Sequence, residues 1–336
     1  MIEITSDKKF LTRTTPNGYK IYSIKNNMKL ISEEEELGPL DKFETCCTSN
    51  IVAFLPSNGN TNFTQRKIII WDCSNKIKIN EIEFNHKIRS FKFYKDIFFI
   101  VCTTYNVNIF KLFDFENINS FITFKNKRGI YEFSGSLDNY ICCYPSDSET
   151  PGYVTVFYSE KKITCTNQVH RSPIHHLVLN EKANGLITCS GKGTVIRYFS
   201  INKKGIFLIK EMRRGYEYAE IFSISISPNS EWINVTSDRG TGHIFNISQQ
   251  KNENKNQKSL LSYGGFLNSI VPEYVSEYIS SEWSSHQYVV DKIMNVSYIN
   301  DENTVLVINN LGTYYYFKFN PNLSNQIKLI EMKNIF

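Results

Sequence analysis

The sequence lacks long apolar runs and shows almost no helical periodicity. No apolar stretch among its 336 residues approaches the roughly 20 residues that span a bilayer. The first ten residues, MIEITSDKKF, have neither an apolar core nor a cleavage site, so we expect no signal peptide. Any contact with a membrane is therefore expected to be peripheral.

Catalytic and metal-binding motifs are also missing from the sequence. We find no CxxC spacing and no recognisable Ser/His/Asp order, GxSxG, phosphate-binding loop or catalytic paired-carboxylate motif. The eight cysteines include two adjacent pairs in apolar stretches, which indicates reduced, buried thiols of a cytosolic protein. His170, His175 and His176 would not converge from a strand onto a metal ion. The sequence therefore predicts no enzyme, no metal and no cofactor.

The charge is nearly balanced, with 38 basic and 33 acidic residues and a net charge of +5. This excess is too small to indicate a nucleic-acid partner. It suits an anionic membrane surface if the basic residues are concentrated in one place.

A short pattern recurs seven times: a Gly or Asn turn, alternating residues, and then an aromatic residue. Most copies lie about 40–50 residues apart, a period typical of a β-propeller with four short strands per blade. A β-sandwich would show no such period. We therefore predict an all-β, WD40-like, seven-bladed propeller in a single domain over residues 1–336. The aromatic residues are Tyr22, Trp71, Phe110, Phe157, Phe199, Phe245 and Phe317.

The predicted sixth blade contains a long insertion within residues 249–290. It begins with the polar stretch QQKNENKNQK and continues with the apolar stretch SLLSYGGFLNSIVPEYVSEYISSEW. A loop of this length is usually functional or disordered. The predicted blades are 7–32, 43–84, 87–125, 129–168, 172–211, 217–290 and 291–332.

Arg213 and Arg214 stand between two similar stretches, TCSGKGTVIRYF and TSDRGTGHIF. Each stretch has a Ser/Thr pair, a Gly-Thr turn and a basic residue or histidine beyond it. In an extended chain the two arginine side chains would point to opposite sides, so each would serve a different site. A guanidinium is a planar, permanently charged fork that matches phosphate oxygens. The alternative is that the two arginines are ordinary exposed or structural charges.

The run RRGYEYAEIFSISISPNSEWINVTSDRGTGHIF resembles the PROPPIN family of phosphoinositide-binding propellers that act in autophagy. The family hallmark Phe/Leu-Arg-Arg-Gly is here Met212-Arg213-Arg214-Gly215. The resemblance is close over residues 168–290, and the first 160 residues match only as generic blades. Gly242 replaces a usual β-branched residue, a change expected to loosen the strand that carries His243.

The resemblance implies two lipid head-group sites. Lys192 and Arg239 would add positive charge at their rims. The first site would use His170, Thr188, Ser190, Thr194, Arg197 and Arg213, and the second Arg214, Gly215, Ser237, Thr241 and His243.

The resemblance also implies that the insertion of the sixth blade, residues 249–290, enters the bilayer. Burying one large apolar side chain is worth about 1.5–3 kcal/mol, so two or three would anchor weakly. Residues 272–283 are expected to pack on the propeller edge instead. The candidate inserting residues are Leu260, Leu261, Tyr263, Phe266, Leu267, Ile270 and Val271.

The function implied is that of a non-enzymatic effector of phosphatidylinositol 3-phosphate and the 3,5-bisphosphate. It would be monomeric in the cytoplasm and be recruited to endosomal, vacuolar or autophagosomal membranes. There it would engage autophagy lipid-transfer proteins or other trafficking proteins. The alternative is a soluble WD40 scaffold for protein–protein interaction that does not bind lipid.

Overall fold

The computed structural model describes residues 1–26, 28–46, 49–64, 66–248 and 281–336. In these ranges the chain forms 29 β-strands, which pair into seven sheets. The same ranges contain no helix of the length and apolarity needed to cross a membrane.

The first four sheets each contain four consecutive antiparallel strands. Their strands are β1 (Ile2–Ile4), β2 (Phe10–Thr14), β3 (Tyr19–Ser23), β4 (Lys29–Glu34), β5 (Leu40–Thr45), β6 (Ile51–Pro56), β7 (Lys67–Asp72), β8 (Ile77–Glu83), β9 (Ile88–Tyr94), β10 (Phe98–Thr103), β11 (Asn106–Lys111), β12 (Asn117–Ile122), β13 (Glu132–Gly135), β14 (Tyr140–Pro145), β15 (Tyr153–Tyr158) and β16 (Ile163–Gln168).

The last three sheets follow the same plan with one addition. The short strand β24 joins the fifth sheet in parallel beside β20, and β25 completes the sixth sheet. The strands are β17 (Ile174–Leu179), β18 (Gly185–Ser190), β19 (Val195–Asn202), β20 (Gly205–Arg213), β21 (Ile221–Ile226), β22 (Trp232–Ser237), β23 (Thr241–Asn246), β24 (Glu282–Trp283), β25 (His286–Val289), β26 (Asn295–Ile299), β27 (Thr304–Asn309), β28 (Thr313–Phe319) and β29 (Ile327–Asn334).

The seven sheets are the blades of a β-propeller, which confirms the fold predicted from the repeat. All seven repeated aromatic residues lie on the third strand of their blade. The first blade starts at Ile2, earlier than predicted, because Ile2–Ile4 pairs with β2. A three-residue strand is too short to show an alternating pattern, so the sequence did not reveal it.

The hydrophobic core is divided among the seven junctions between neighbouring blades. Each junction holds one cluster of buried side chains that both blades contribute. The cluster between the last and first blades packs Leu306 and Ile308 against Leu11 and Tyr22. No strand of the first sheet pairs with the last sheet in the part of the chain that is described. The ring therefore closes through side-chain packing rather than through a shared sheet.

The turn between β1 and β2 adds polar contacts to distant blades. The Ser6 hydroxyl donates to the Phe93 carbonyl of the third blade at 3.0 Å. The Lys8 ammonium lies 4.0 Å from the Glu181 carboxylate of the fifth blade. It also lies 5.2 Å from the centre of the Tyr298 ring in the seventh blade. This turn thus ties the N-terminal blade to three others.

We predict that Leu11→Ala destabilises the whole ring. Leu11 is fully buried at the closing junction, and a Leu→Ala change in a core costs about 2–5 kcal/mol. The midpoint of urea unfolding should fall accordingly. Leu311→Ala is the matched control, because Leu311 is 62% exposed. Equal midpoints for the two variants would show that the closing junction does not limit stability.

Candidate functional site

The arginine pair lies where the fifth blade passes into the sixth. Arg213 is the last residue of β20 and pairs with Val195 on one side and with Trp283 on the other. Arg214 begins the connection to β21, and its backbone N–H donates to the Thr194 carbonyl at 2.9 Å. The β18–β19 and β22–β23 turns flank this connection, so the predicted site residues lie at one end of two adjacent blades.

In the first predicted group, His170 and Thr188 are buried and touch. Nε2 of His170 lies 2.8 Å from Oγ1 of Thr188, within hydrogen-bonding distance. The Arg197 guanidinium donates to the Val169 carbonyl at 2.7 Å and pairs with Glu211 at 2.8 Å. Glu211 therefore neutralises much of the Arg197 charge, and Arg197 serves mainly to hold the chain beside His170. Ser190 and Thr194 lie at the two ends of the β18–β19 turn.

Arg213 lies on the same face of the fifth blade as Arg197 and Glu211, opposite the buried Met212. Its Nε donates to the Ser281 hydroxyl at 2.9 Å. Ser281 belongs to the segment that returns from the insertion into the sixth blade. Sequence reasoning missed this serine because it stands 68 residues along the chain from Arg213 and carries no motif.

In the second predicted group, Arg214 is buried and has a structural role of its own. Its Nε donates to the Gly193 carbonyl at 2.8 Å, and an Nη nitrogen donates to the Glu217 carbonyl. These bonds use two of the five N–H donors of a guanidinium. Burial and the nearby Arg239 lower the pKa of Arg214. Its guanidinium thus joins the β18–β19 turn to the connection between the blades.

The other members of the second group lie around the β22–β23 turn. Ser237 is fully buried at the end of β22, and Thr241 begins β23. Nδ1 of His243 lies 3.1 Å from the hydroxyl of Ser284, another residue that the sequence did not reveal. At Gly215 an added Cβ atom would meet no heavy atom within 4 Å. The backbone there faces open space, which a ligand can approach.

Of the two predicted rim cations, Lys192 is exposed, and Arg239 is engaged with the connection between the blades. Its Nη2 donates to the Tyr218 carbonyl at 2.7 Å, and its Nη1 lies 3.2 Å from the Glu217 carboxylate. Arg239 and Arg214 therefore both donate to backbone carbonyls of the same connection.

The two histidines of the predicted sites are kept neutral. Burial, followed by the Arg197 charge, lowers the pKa of His170 to about 3. Burial, followed by the Arg214 charge, lowers the pKa of His243 to about 4. A neutral imidazole offers one N–H donor and one acceptor. Positive charge in both groups therefore comes from the arginines.

Gly242 does not loosen its strand, contrary to our expectation. It pairs with Tyr288 of β25, and an added Cβ atom would lie 2.0 Å from the Tyr288 ring. The Tyr288 hydroxyl donates to the Asn234 side chain at 2.6 Å, which fixes the ring. The aromatic ring occupies the volume of the missing side chain and holds β23 in place.

The last part of the predicted 249–290 insertion belongs to the blades instead of to a membrane loop. From Ser281 onward it forms β24 and β25 and contacts both predicted groups. Ser281 binds Arg213 and Ser284 lies against His243, while Glu282 pairs with Lys210 at 2.7 Å. Ser281–Trp283 therefore packs on the propeller edge as expected, whereas 272–280 lie outside the described residues. The predicted inserting residues also lie outside the described residues: Leu260, Leu261, Tyr263, Phe266, Leu267, Ile270 and Val271.

The fold and this pair of polar, arginine-bearing sites define a seven-bladed propeller whose fifth and sixth blades share a candidate anion-binding end. The PROPPIN family model matches residues 2–335. The chain therefore belongs to the PROPPIN family.

Related proteins and structures agree with this assignment. Autophagy-related protein 18 of Dictyostelium discoideum is 28% identical, over 94% of this chain and 88% of its own length. WD repeat domain phosphoinositide-interacting protein 1 of Xenopus laevis is 24% identical, over 95% of this chain and 75% of its own length. The structure of Kluyveromyces lactis Hsv2 superposes with a TM-score of 0.76 at 20% identity, covering 100% of this chain and 98% of that one. The structural match supports the fold.

We predict that Gly242→Ala destabilises the protein, because the new methyl group would overlap the fixed Tyr288 ring. Overpacking of this kind costs about 1–3 kcal/mol. Gly215→Ala, which points into open space, is the matched control and should leave the unfolding midpoint unchanged. A Gly242→Ala variant as stable as the control would show that Tyr288 can move away.

We also predict that His170 and His243 remain neutral in the folded protein between about pH 7.5 and 5.5. Below pH 6.5, the ordinary pKa of histidine, the unfolded chain binds protons that these two histidines do not bind in the folded chain. The two histidines therefore cost no folding stability above pH 6.5, and the free energy of unfolding declines as the pH falls from there toward about 4. NMR titration of the two rings, assigned with His170→Gln and His243→Gln, checks this. A midpoint near the ordinary value for either ring would contradict it.

Proposed function

We propose that the chain binds phosphatidylinositol 3-phosphate and the 3,5-bisphosphate through two head-group sites, one on each side of the arginine pair. The observation that carries this proposal is the divergence of Arg213 and Arg214. Arg213 is directed toward Ser281 on the outer edge of the fifth blade, and Arg214 toward the Gly193 carbonyl at the junction with the sixth. In this proposal Arg213 serves the site that contains His170, and Arg214 serves the site that contains His243, whose pKa the Arg214 charge helps to lower.

The electrostatics of the two groups suit a phosphorylated ring rather than a metal or a cation. Arginine supplies fixed charge and paired N–H donors for phosphate oxygens. Neutral imidazoles and hydroxyls supply shorter-range donors and acceptors that distinguish hydroxyl from phosphate positions on the inositol. No cluster of possible metal-binding side chains exists among the described residues. We therefore assign the chain a binding role as a non-enzymatic effector.

The apolar residues of the insertion would provide a third contact with the membrane. Their composition supports this role, and the return segment of the insertion lies against both arginine-bearing groups. Two head-group sites and an inserted loop act on the same surface. Linked weak contacts of this kind raise the overall affinity without any single strong one.

The membranes and partners proposed follow from the relatives. Their names associate them with autophagy and with phosphoinositides, and one neighbouring structure is a complex of KlAtg21 with a coiled coil of AgAtg16. We place this chain on the cytoplasmic side of endosomal, vacuolar or autophagosomal membranes. The remaining blades would recruit autophagy lipid-transfer proteins or other trafficking proteins.

We predict that Arg213→Ala weakens binding to vesicles that contain 3-phosphoinositides by about tenfold or more, since a hydrogen bond to a charged group contributes about 1.5–3 kcal/mol. Flotation with and without the phosphoinositide measures the effect. Arg66→Ala is the control, because it removes the same charge from an exposed position in the second blade.

Two outcomes would contradict the proposal. Wild-type protein that floats no better than Arg213→Ala would favour the soluble scaffold instead. An equal loss in Arg66→Ala would show that net charge, rather than a built site, drives the binding. Arg214→Ala should lose binding and stability together, because two backbone carbonyls lose their donor.

A further inference from the structure

Three large aromatic side chains are exposed beside the arginine pair. Tyr216 is 66% exposed, Tyr218 58% and Trp283 41%. The Tyr216 and Trp283 rings lie against each other, with centroids 4.9 Å apart and planes at 54°. Tyr216 and Tyr218 lie in the connection between the fifth and sixth blades, and Trp283 follows the insertion. Exposed aromatic clusters usually mark a surface that meets a partner or a membrane.

The backbone that carries the two tyrosines is held on both sides. Arg214 donates to the Glu217 carbonyl, and Arg239 donates to the Tyr218 carbonyl at 2.7 Å. The Ala219 N–H donates to the Lys192 carbonyl at 3.2 Å, and the side chain of Ala219 is fully buried. The guanidiniums of Arg214 and Arg239 and the buried side chain of Ala219 thus keep this connection in one position. The aromatic side chains project from a fixed support.

Trp283 is tied to the same place through the strand pairing. It pairs in parallel with Arg213, the arginine of the first head-group site. A head group bound at Arg213 would therefore bring Trp283 and its neighbour Tyr216 to the level of the lipid head groups. The two contacts belong to one edge of the propeller.

We propose that Tyr216, Tyr218 and Trp283 form an aromatic contact with the interfacial layer of a lipid bilayer. This inference rests on the proposed head-group binding. Tyrosine and tryptophan favour the head-group level because each ring has an apolar body and a polar tip.

The charges around the patch also suit a bilayer with anionic lipids. Lys192 and Arg239 lie beside it, since the Lys192 carbonyl accepts from the Ala219 N–H and Arg239 donates to the Tyr218 carbonyl. Both acids of the connection are paired, Glu217 with Arg239 at 3.2 Å and Glu220 with Arg128 at 2.8 Å. The aromatic contact uses none of the seven apolar residues predicted to enter the bilayer, and it needs no deep penetration.

The test compares Tyr216→Ala/Tyr218→Ala with Phe113→Ala in vesicle flotation. Phe113 is 80% exposed on the third blade, remote in the ring from this patch, and serves as the matched control. The double variant should bind phosphoinositide vesicles about tenfold more weakly than wild type. Its affinity for the soluble inositol 1,3-bisphosphate head group should stay unchanged, and Phe113→Ala should match wild type in both assays.

The outcomes separate this inference from the proposed function. If the double variant binds phosphoinositide vesicles as well as wild type does, the aromatic contact is overturned and the proposed function is not. A parallel loss of soluble head-group binding would also overturn it, since the tyrosines would then shape the pocket. Wild type that ignores the phosphoinositide would overturn both proposals.

Tryptophan fluorescence gives a second measurement. Vesicles with bromine-labelled acyl chains should quench part of the wild-type emission, and Trp283→Phe should remove the quenched part. Trp71 and Trp232 remain in that variant and report the background. Quenching that persists in Trp283→Phe would place the membrane contact elsewhere.

Discussion

Each blade has two apolar faces, and neither face can be buried unless another blade lies on it. A row of seven sheets would leave two such faces in water, one on the first blade and one on the last. Burial is worth about 25 cal/mol per Å² of apolar surface, so the ring is driven to close. Closure here depends on Leu11 and Tyr22 meeting Leu306 and Ile308, with the β1–β2 turn adding contacts to other blades. The positions of all other features follow from that closed ring.

The candidate sites depend on the same packing at one particular junction. Met212 is fully buried in the cluster between the fifth and sixth blades. It holds the first position of the Phe/Leu-Arg-Arg-Gly hallmark that the sequence resembles, and its burial suits an apolar residue there. Because side chains alternate along β20, a buried Met212 places Arg213 on the opposite face of the fifth blade. Arg214 then leaves the strand and turns back to the Gly193 carbonyl. The divergence of the two arginines is thus a consequence of core packing.

The fold was accessible from the sequence because its repeat is carried by large buried residues. Phe199 and Phe245 occupy equivalent positions on β19 and β23, and equivalent positions require similar residues. The strand β1 escaped detection because three residues carry no period. The strand β24 was not predicted because it pairs with β20, which is distant in sequence, and only the fold brings the two strands together. The arginine pair and its flanking Gly-Thr turns stood out in the sequence, and the assignment of residues to two candidate sites came from the family motif. Their partners Glu211, Ser281 and Ser284 were not predicted.

The segment after the insertion changes how the two predicted sites relate to each other. Strand alternation alone suggests two independent pockets. In the structure, Ser281 accepts from Arg213 and Ser284 lies against His243. A ligand that displaces either serine also acts on the segment that holds the other. The same segment carries Trp283 and leads back into the apolar insertion. The proposed head-group binding, aromatic contact and bilayer insertion would therefore share one short piece of backbone, and their contributions to membrane affinity would be coupled.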